Sequence, residues 1–120
     1  MDFQNNEPIY IQIGTAIKEQ IVNGSLKPGE KLPSVREYAI IFEVSPLTIH
    51  RAVQYLETEG VIETKKGIGS FVRSEIQEKL SRDMIEQKVH DFIGRLRKCG
   101  LSDEAIEAAV MRELKGVDRL

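Results

Sequence analysis

Ile9, Ile13, Ile17 and Ile21 fall four residues apart, with Tyr10 on their flank. That spacing lines one side of a helix, so the chain is expected to open on an amphipathic helix. Pro8 suits its first turn and Gly24 its C-terminal cap. Pro28-Gly29 then has the composition of a turn in which glycine takes a positive φ. The isoleucine stripe needs a cover, so this helix is expected to support the following elements from behind.

Leu32 to Val72 holds two further helices and a hairpin. Ser34 followed by Glu37 is a capping box, in which the hydroxyl accepts a backbone N–H and the carboxylate reaches back to the N–H of the cap residue. It starts a helix from Val35 to about Phe42. Ser45-Pro46 starts the next, because serine is a good N-cap and proline at the first helical position loses only an N–H that had no partner. This helix is expected to run to about Glu59 and stop at Gly60. Ile49, Val53 and Leu56 give it an apolar face with Ala52 beside them, while Leu47, Thr48, His50, Arg51 and Gln54 occupy the other face. Two helices joined by roughly three residues form the helix-turn-helix outline, whose second member can lie in the DNA major groove. The runs Val61–Thr64 and Ser70–Arg73 are rich in β-branched and aromatic residues and flank Lys65-Lys66-Gly67-Ile68-Gly69. They predict a hairpin with a basic, glycine-hinged tip, which turns the outline into a winged helix.

After Val72 the period lengthens. Ile85, Val89, Phe92 and Leu96 alternate four and three apart on a helix from about Glu75 to Lys98, with Ile76 and Leu80 upstream. Gly100 breaks it, and Ser102 is a fitting N-cap for a last helix to about Lys115. Asp103 and Glu104 sit in its first turn, where the helix dipole favours negative charge, and Ile106, Ala109, Val110 and Leu114 form its apolar side. Two helices have too little core to fold in isolation, so they are expected to pack on a second copy of the chain through Ile85, Val89, Phe92, Leu96, Ile106, Val110 and Leu114. The expected fold is therefore mostly α with a small β-hairpin. Residues 1–74 form a winged helix-turn-helix domain, and residues 75–120 a two-helix C-terminal dimerisation tail.

Motifs in this order carry a family resemblance. Tyr10-x-Gln12-Ile13, Gly24-x-Leu26-x-Pro28-Gly29, Leu32-Pro33-Ser34-x-Arg36, Val44-Ser45-x-x-Thr48, Arg51-Ala52, Leu56-Glu57-x-Glu59-Gly60 and Gly67-x-Gly69-x-Phe71-Val72 resemble the N-terminal domain of GntR-type bacterial transcription regulators. The resemblance covers a little over half of the chain. It implies a DNA-binding transcription regulator, with Ser34, Arg36, Leu47, Thr48, His50, Arg51, Lys65, Lys66 and Gly67 at the operator. Pro46 departs from the pattern, standing where many members have an arginine that contacts DNA. Proline offers no donor there, although with Leu47 it presents an apolar surface to a thymine methyl. Many relatives carry a large metabolite-binding domain, whereas the roughly 46 residues after the hairpin resemble the short helical tail of the small YtrA-like subgroup.

Charge changes this picture in one respect. The formal net charge is −2, and it does not divide into a basic and an acidic half. Residues 1–74 hold 8 Lys and Arg against 9 Asp and Glu, and residues 75–120 hold 9 against 10. DNA binding must then come from the placement of Arg36, Arg51, Lys65 and Lys66, and be local and salt-sensitive. Composition is otherwise ordinary, with 41% hydrophobic and 30% charged residues. Neither a signal peptide nor a membrane span is expected, and the single Cys99 excludes an intrachain disulfide, all of which fits a cytoplasmic protein.

Catalytic chemistry finds little support. His50 and His90 lie on different expected elements with no second ligand at metal spacing, and Cys99 has no cysteine partner. Gly67-x-Gly69 is not followed at once by a helix, as a phosphate loop requires. No enzyme, metal or cofactor is expected. The expected function is that of a sequence-specific regulator, a repressor acting as a homodimer on a palindromic operator in double-stranded DNA. The alternative is a winged-helix protein-interaction module, and no residue names a small-molecule effector.

Overall fold

Three serines set helix starts. The Ser34 hydroxyl accepts the Glu37 N–H at 3.1 Å, and Glu37 Oε1 accepts the Ser34 N–H at 2.9 Å. Ser45 Oγ accepts the Thr48 N–H at 3.3 Å, and Ser102 Oγ the Ala105 N–H at 3.2 Å. The computed structural model describes Phe3 and residues 6–116. Among these residues the elements are α1 (Ile9–Val22), α2 (Val35–Phe42), α3 (Pro46–Thr58), β1 (Ile62–Lys65), β2 (Gly69–Val72), α4 (Gln77–Lys98) and α5 (Asp103–Lys115). The chain forms two compact units that divide after Ser81.

In the first unit, Ile13, Ile17 and Ile21 of α1 are fully buried against Ile49, Ala52 and Leu56 of α3. Tyr38 and Phe42 of α2 pack ring to ring with centroids 5.6 Å apart and complete the three-helix core. Burial pushes the Tyr38 hydroxyl up to about 12, and the nearby Glu30 carboxylate adds to the shift. The first isoleucine of the stripe, Ile9, stays exposed. Helices α1 and α3 approach so closely at Gly14 that a Cβ there would lie 2.6 Å from Tyr55 Cδ2. On the same side, Lys18 Nζ donates to the Tyr55 hydroxyl at 3.0 Å and to Glu59 Oε1 at 3.2 Å. Burial alone would lower the Lys18 pKa, but the hydrogen bond and charge of Tyr55, followed by those of Glu59, raise it on balance.

Between α2 and α3, Glu43 adopts a left-handed conformation, φ 57 and ψ 48. It ends α2 in the manner of a C-cap, with its N–H on Ile40 O and that of Val44 on Ala39 O. At the other end of α3, Gly60 takes φ +74 and the Val61 N–H returns to Leu56 O at 2.9 Å. The Val61 N–H is thus spent in ending the helix, while its carbonyl still accepts the Arg73 N–H at 3.1 Å, and both strands lie one residue nearer the tip, at Ile62–Lys65 and Gly69–Val72, than the expected Val61–Thr64 and Ser70–Arg73. The ladder is antiparallel, pairing Ile62 with Val72 and Lys65 with Gly69. A third segment joins it, since Gly29 and Leu32 donate to Val72 O and Ser70 O, and Val72 donates to Glu30 O.

The first turn of α4 belongs to this unit. Leu80 is buried in the first core with Ile76 packed against it, and Gln77 Nε2 donates to Ile21 O at 3.1 Å. The compact unit therefore extends past the boundary read at 74/75. A heptad-like pattern cannot distinguish the two uses of one helix, because it marks which side is apolar and not what covers it.

In the second unit, Gly100 takes φ +89 and the Leu101 N–H returns to Leu96 O, ending α4. Arg97 grips Asp103 across the turn through two hydrogen bonds, Nε to Oδ1 at 3.0 Å and Nη2 to Oδ2 at 3.2 Å. Cys99 is exposed in this turn. Ile106 is the one buried hydrophobic residue of this unit among the described residues.

Candidate nucleic-acid interface

Helix α3 turns its buried side, Ile49, Ala52 and Leu56, to the core. At 100° per residue, Leu47, Arg51, Gln54 and Thr58 then form the outermost stripe, with His50 beside it. All five are exposed. Arg51, Gln54 and Thr58 line an open depression with Tyr10 and Tyr55, whose rings meet edge to face at 6.3 Å between centroids. Lys18 Nζ lies 4.8 Å from the centroid of the Tyr55 ring, so the floor beside Arg51 is held from α1. Arg51 has no ion-pair partner among the described residues.

Thr48 is half-buried and its hydroxyl lies 3.1 Å from Ser45 Oγ, so its side chain takes part in capping α3. Ser34 is likewise occupied, by the Glu37 N–H. The Ser34 backbone N–H, then its hydroxyl, hold the Glu37 carboxyl below the usual carboxylate range, and the Lys31 charge adds to this. Since Glu37 faces Ser34, Arg36 stands exposed beside it with no ion-pair partner among the described residues.

The expected wing residues are not alike. The Lys65 ammonium lies over the Phe71 ring, 4.8 Å from its centroid, whereas Lys66 and Gly67 project freely at the tip. Gly67 has φ +78 with open space where a side chain would stand. Thr64 and Ser70 hydroxyls, 3.0 Å apart, form a rung below the tip. Lys31 was not marked by the sequence pattern. It bridges to Phe71, and a Cβ on Gly69 would lie 2.7 Å from its Cε. Its charge thus stands between the wing and the start of α2. Only the small residue at 69, opposite a lysine preceding Leu32-Pro33-Ser34, hinted at this approach.

The residues of the tail seam are largely uncovered. Ile85, Val89, Phe92 and Leu114 are 52%, 50%, 41% and 76% exposed, while Leu96 and Val110 are half-buried and Ile106 is buried. Between α4 and α5 lies an open groove of about 520 Å³, walled by Val89, Phe92, Ile93, Ile106, Val110 and Met111 with the Arg97–Asp103 pair at its edge.

The family model described as "Bacterial regulatory proteins, gntR family" matches residues 9–72, more than half of the chain. The chain belongs to the gntR family. As a gntR-family protein it is a DNA-binding transcription regulator of winged-helix fold, and the named relatives are regulators rather than enzymes. It is 38% identical to a GntR family transcriptional regulator from Listeria monocytogenes of known structure, matching 92% of this chain and 98% of that one with a TM-score of 0.82. It is 46% identical over 72 residues to the HTH-type transcriptional repressor YtrA of Bacillus subtilis (strain 168), matching 60% of this chain and 55% of that protein. The structure titled "AraR(DBD) in complex with operator ORX1" aligns with a TM-score of 0.55 at 32% identity, over 59% of this chain and 92% of that one.

The gntR match ends at residue 72, so it includes the Lys31 edge and the whole wing. Among the described residues no group of three or more His, Cys, Asp or Glu side chains is arranged to hold a metal, and no helix is long and apolar enough to cross a membrane.

Proposed function

We propose that the protein is a repressor that acts as a homodimer on a two-fold operator. The observation that carries this reading is the outward stripe of α3, where an unpaired Arg51 projects between Leu47 and Gln54 on a helix fixed by Ser45, Pro46 and the Lys18–Tyr55 contact. An arginine so placed can donate two hydrogen bonds to guanine, and Leu47 with Pro46 can lie against a thymine methyl. His50 and Arg36 supply further donors from α3 and α2. Lys66, Gly67 and, set back, Lys65 meet phosphates from the wing. Ser34 and Thr48 serve by fixing the helix starts from which Arg36 and Arg51 project. The uncovered seam on α4 and α5 supports a second copy as the partner of the tail, because a symmetric partner would bury Ile85, Val89, Phe92 and Leu114. Two copies then present two recognition helices, which calls for half-sites about one helical turn or a multiple apart. The name of the YtrA relative favours repression. A cytoplasmic location follows from the same activity.

Selection of genomic fragments by the purified full-length chain tests this, followed by sedimentation of the complex. The expected result is enrichment of a palindrome bound by two chains, with blocked transcription from a promoter that carries it. If no sequence is enriched at low or moderate salt, the winged helix acts instead as a protein-interaction module.

A further inference from the structure

We propose that Ile68 reads the minor groove next to the half-site and confers a preference for A·T pairs there. This rests on the DNA-binding reading above and adds to it a specificity-determining residue.

The tip of the wing is built around Ile68. Its N–H closes the turn on Lys65 O at 2.9 Å, and the flanking Gly67 and Gly69 take φ +78 and +144. Neither neighbour carries a side chain, so the 60% exposed Ile68 stands alone as the apolar group of the tip. The nearby cations are arranged around it. Lys65 is drawn back over Phe71 and Lys31 lies along Gly69, while Lys66 remains exposed beside the turn. A narrow apolar point backed by lysines suits a groove walled by phosphates. The B-DNA minor groove is about 6 Å wide, which favours a tip whose backbone has no Cβ on either side of the inserted residue.

The chemistry of the floor decides what such a tip prefers. In the minor groove A·T pairs show only acceptors, whereas G·C adds the guanine 2-amino donor. An isoleucine pressed against that amino group removes its water and offers no acceptor in return, which costs binding energy. Against A·T the same side chain meets no donor, and apolar wedges of this kind recur among minor-groove proteins. Major-groove reading by α3 and minor-groove reading by Ile68 would thus be separable.

The test uses full-length protein and a duplex selected by it from a random-sequence library. Each pair is replaced in turn by A·T, G·C or inosine·C, which keeps the major-groove face of G·C but lacks the 2-amino group. At the pair beneath the wing, A·T and inosine·C should bind alike and G·C about five- to tenfold more weakly. Ile68→Ser, whose hydroxyl can accept from the amino group, should level the three duplexes with unchanged melting temperature. Ile68→Val should preserve the ranking, and Arg51→Ala should weaken all three without altering it. The proposal is overturned if inosine·C follows G·C at every sensitive pair, or if Ile68→Ser keeps the discrimination. Failure to select any duplex would overturn the DNA-binding reading itself, a result distinct from specific binding with no such position.

Discussion

Gly14 and Tyr55 are in contact across α1 and α3, with the ring occupying the space that a side chain at 14 would need. A glycine inside a helix ordinarily costs about 1 kcal/mol relative to alanine. Here the absence of a Cβ lets the Tyr55 ring of α3 settle against α1, where Lys18 and Tyr10 hold it. Gly14→Ala should therefore destabilise the first unit, by about 1 to 2 kcal/mol net of the propensity gain. Urea unfolding of the two proteins checks this, and a more stable alanine variant would contradict the close packing.

Glu43 offers the opposite case. It holds φ 57 with a side chain, a conformation that glycine takes without strain. Glu43→Gly should raise stability by about 0.5 to 1 kcal/mol, read as a higher melting temperature, while Glu43→Val should lower it.

The capping box predicts a pH dependence. The folded Glu37 pKa is depressed, first by the Ser34 N–H, so its contribution is present above the ordinary glutamate range and disappears as pH falls through the folded value. Glu37→Gln should lose stability near neutrality and show a shallower decline in acid than the parent chain. Parallel acid titrations followed by circular dichroism provide the comparison.

Lys65 and Lys66 should separate in a salt series. Lys66→Ala should reduce the slope of log affinity against log salt by about 0.9, the loss of one phosphate contact. Lys65→Ala should change it less, since that ammonium already lies over Phe71. Equal slopes for both variants would place the two lysines in the same environment.

Truncation should distinguish the roles of the two ends of α4. A chain ending at Ser81 retains Ile76, Gln77 and the buried Leu80, and should remain folded as a monomer. One ending at Ser74 loses Leu80 and with it about 1.5 to 3 kcal/mol of burial. Sedimentation and thermal melting of both fragments test the proposal that association resides beyond Ser81.

Much of this architecture was legible because local chemistry marks it. Ser34 with Glu37, Ser45 with Pro46, and Ser102 announce helix starts through hydrogen bonds within three residues, and Gly60 and Gly100 announce ends through positive φ. The less legible features depend on partners far along the chain. Lys31 meets Gly69 only because the segment after α1 pairs with β2, and Leu80 shares its apolar spacing with residues of the other unit. Arg97 and Asp103 bear charges that suit their helix ends individually, so their pairing across the turn was hidden. The candidate interface divides in the same way. Arg51 and the wing lysines could be located from periodicity and turn chemistry, but the capping engagement of Thr48 and the withdrawal of Lys65 onto Phe71 required their neighbours.

The scarcity of buried side chains in the second unit ties its stability to the law of mass action. With Ile106 the one buried hydrophobic residue among the described residues of that unit, most of the free energy that orders α5 and the part of α4 beyond Ser81 would come from the proposed encounter between copies. Its melting temperature should then rise with protein concentration. In dilute conditions dimer abundance would vary with the square of monomer concentration, so halving the free monomer would quarter the supply of paired recognition helices.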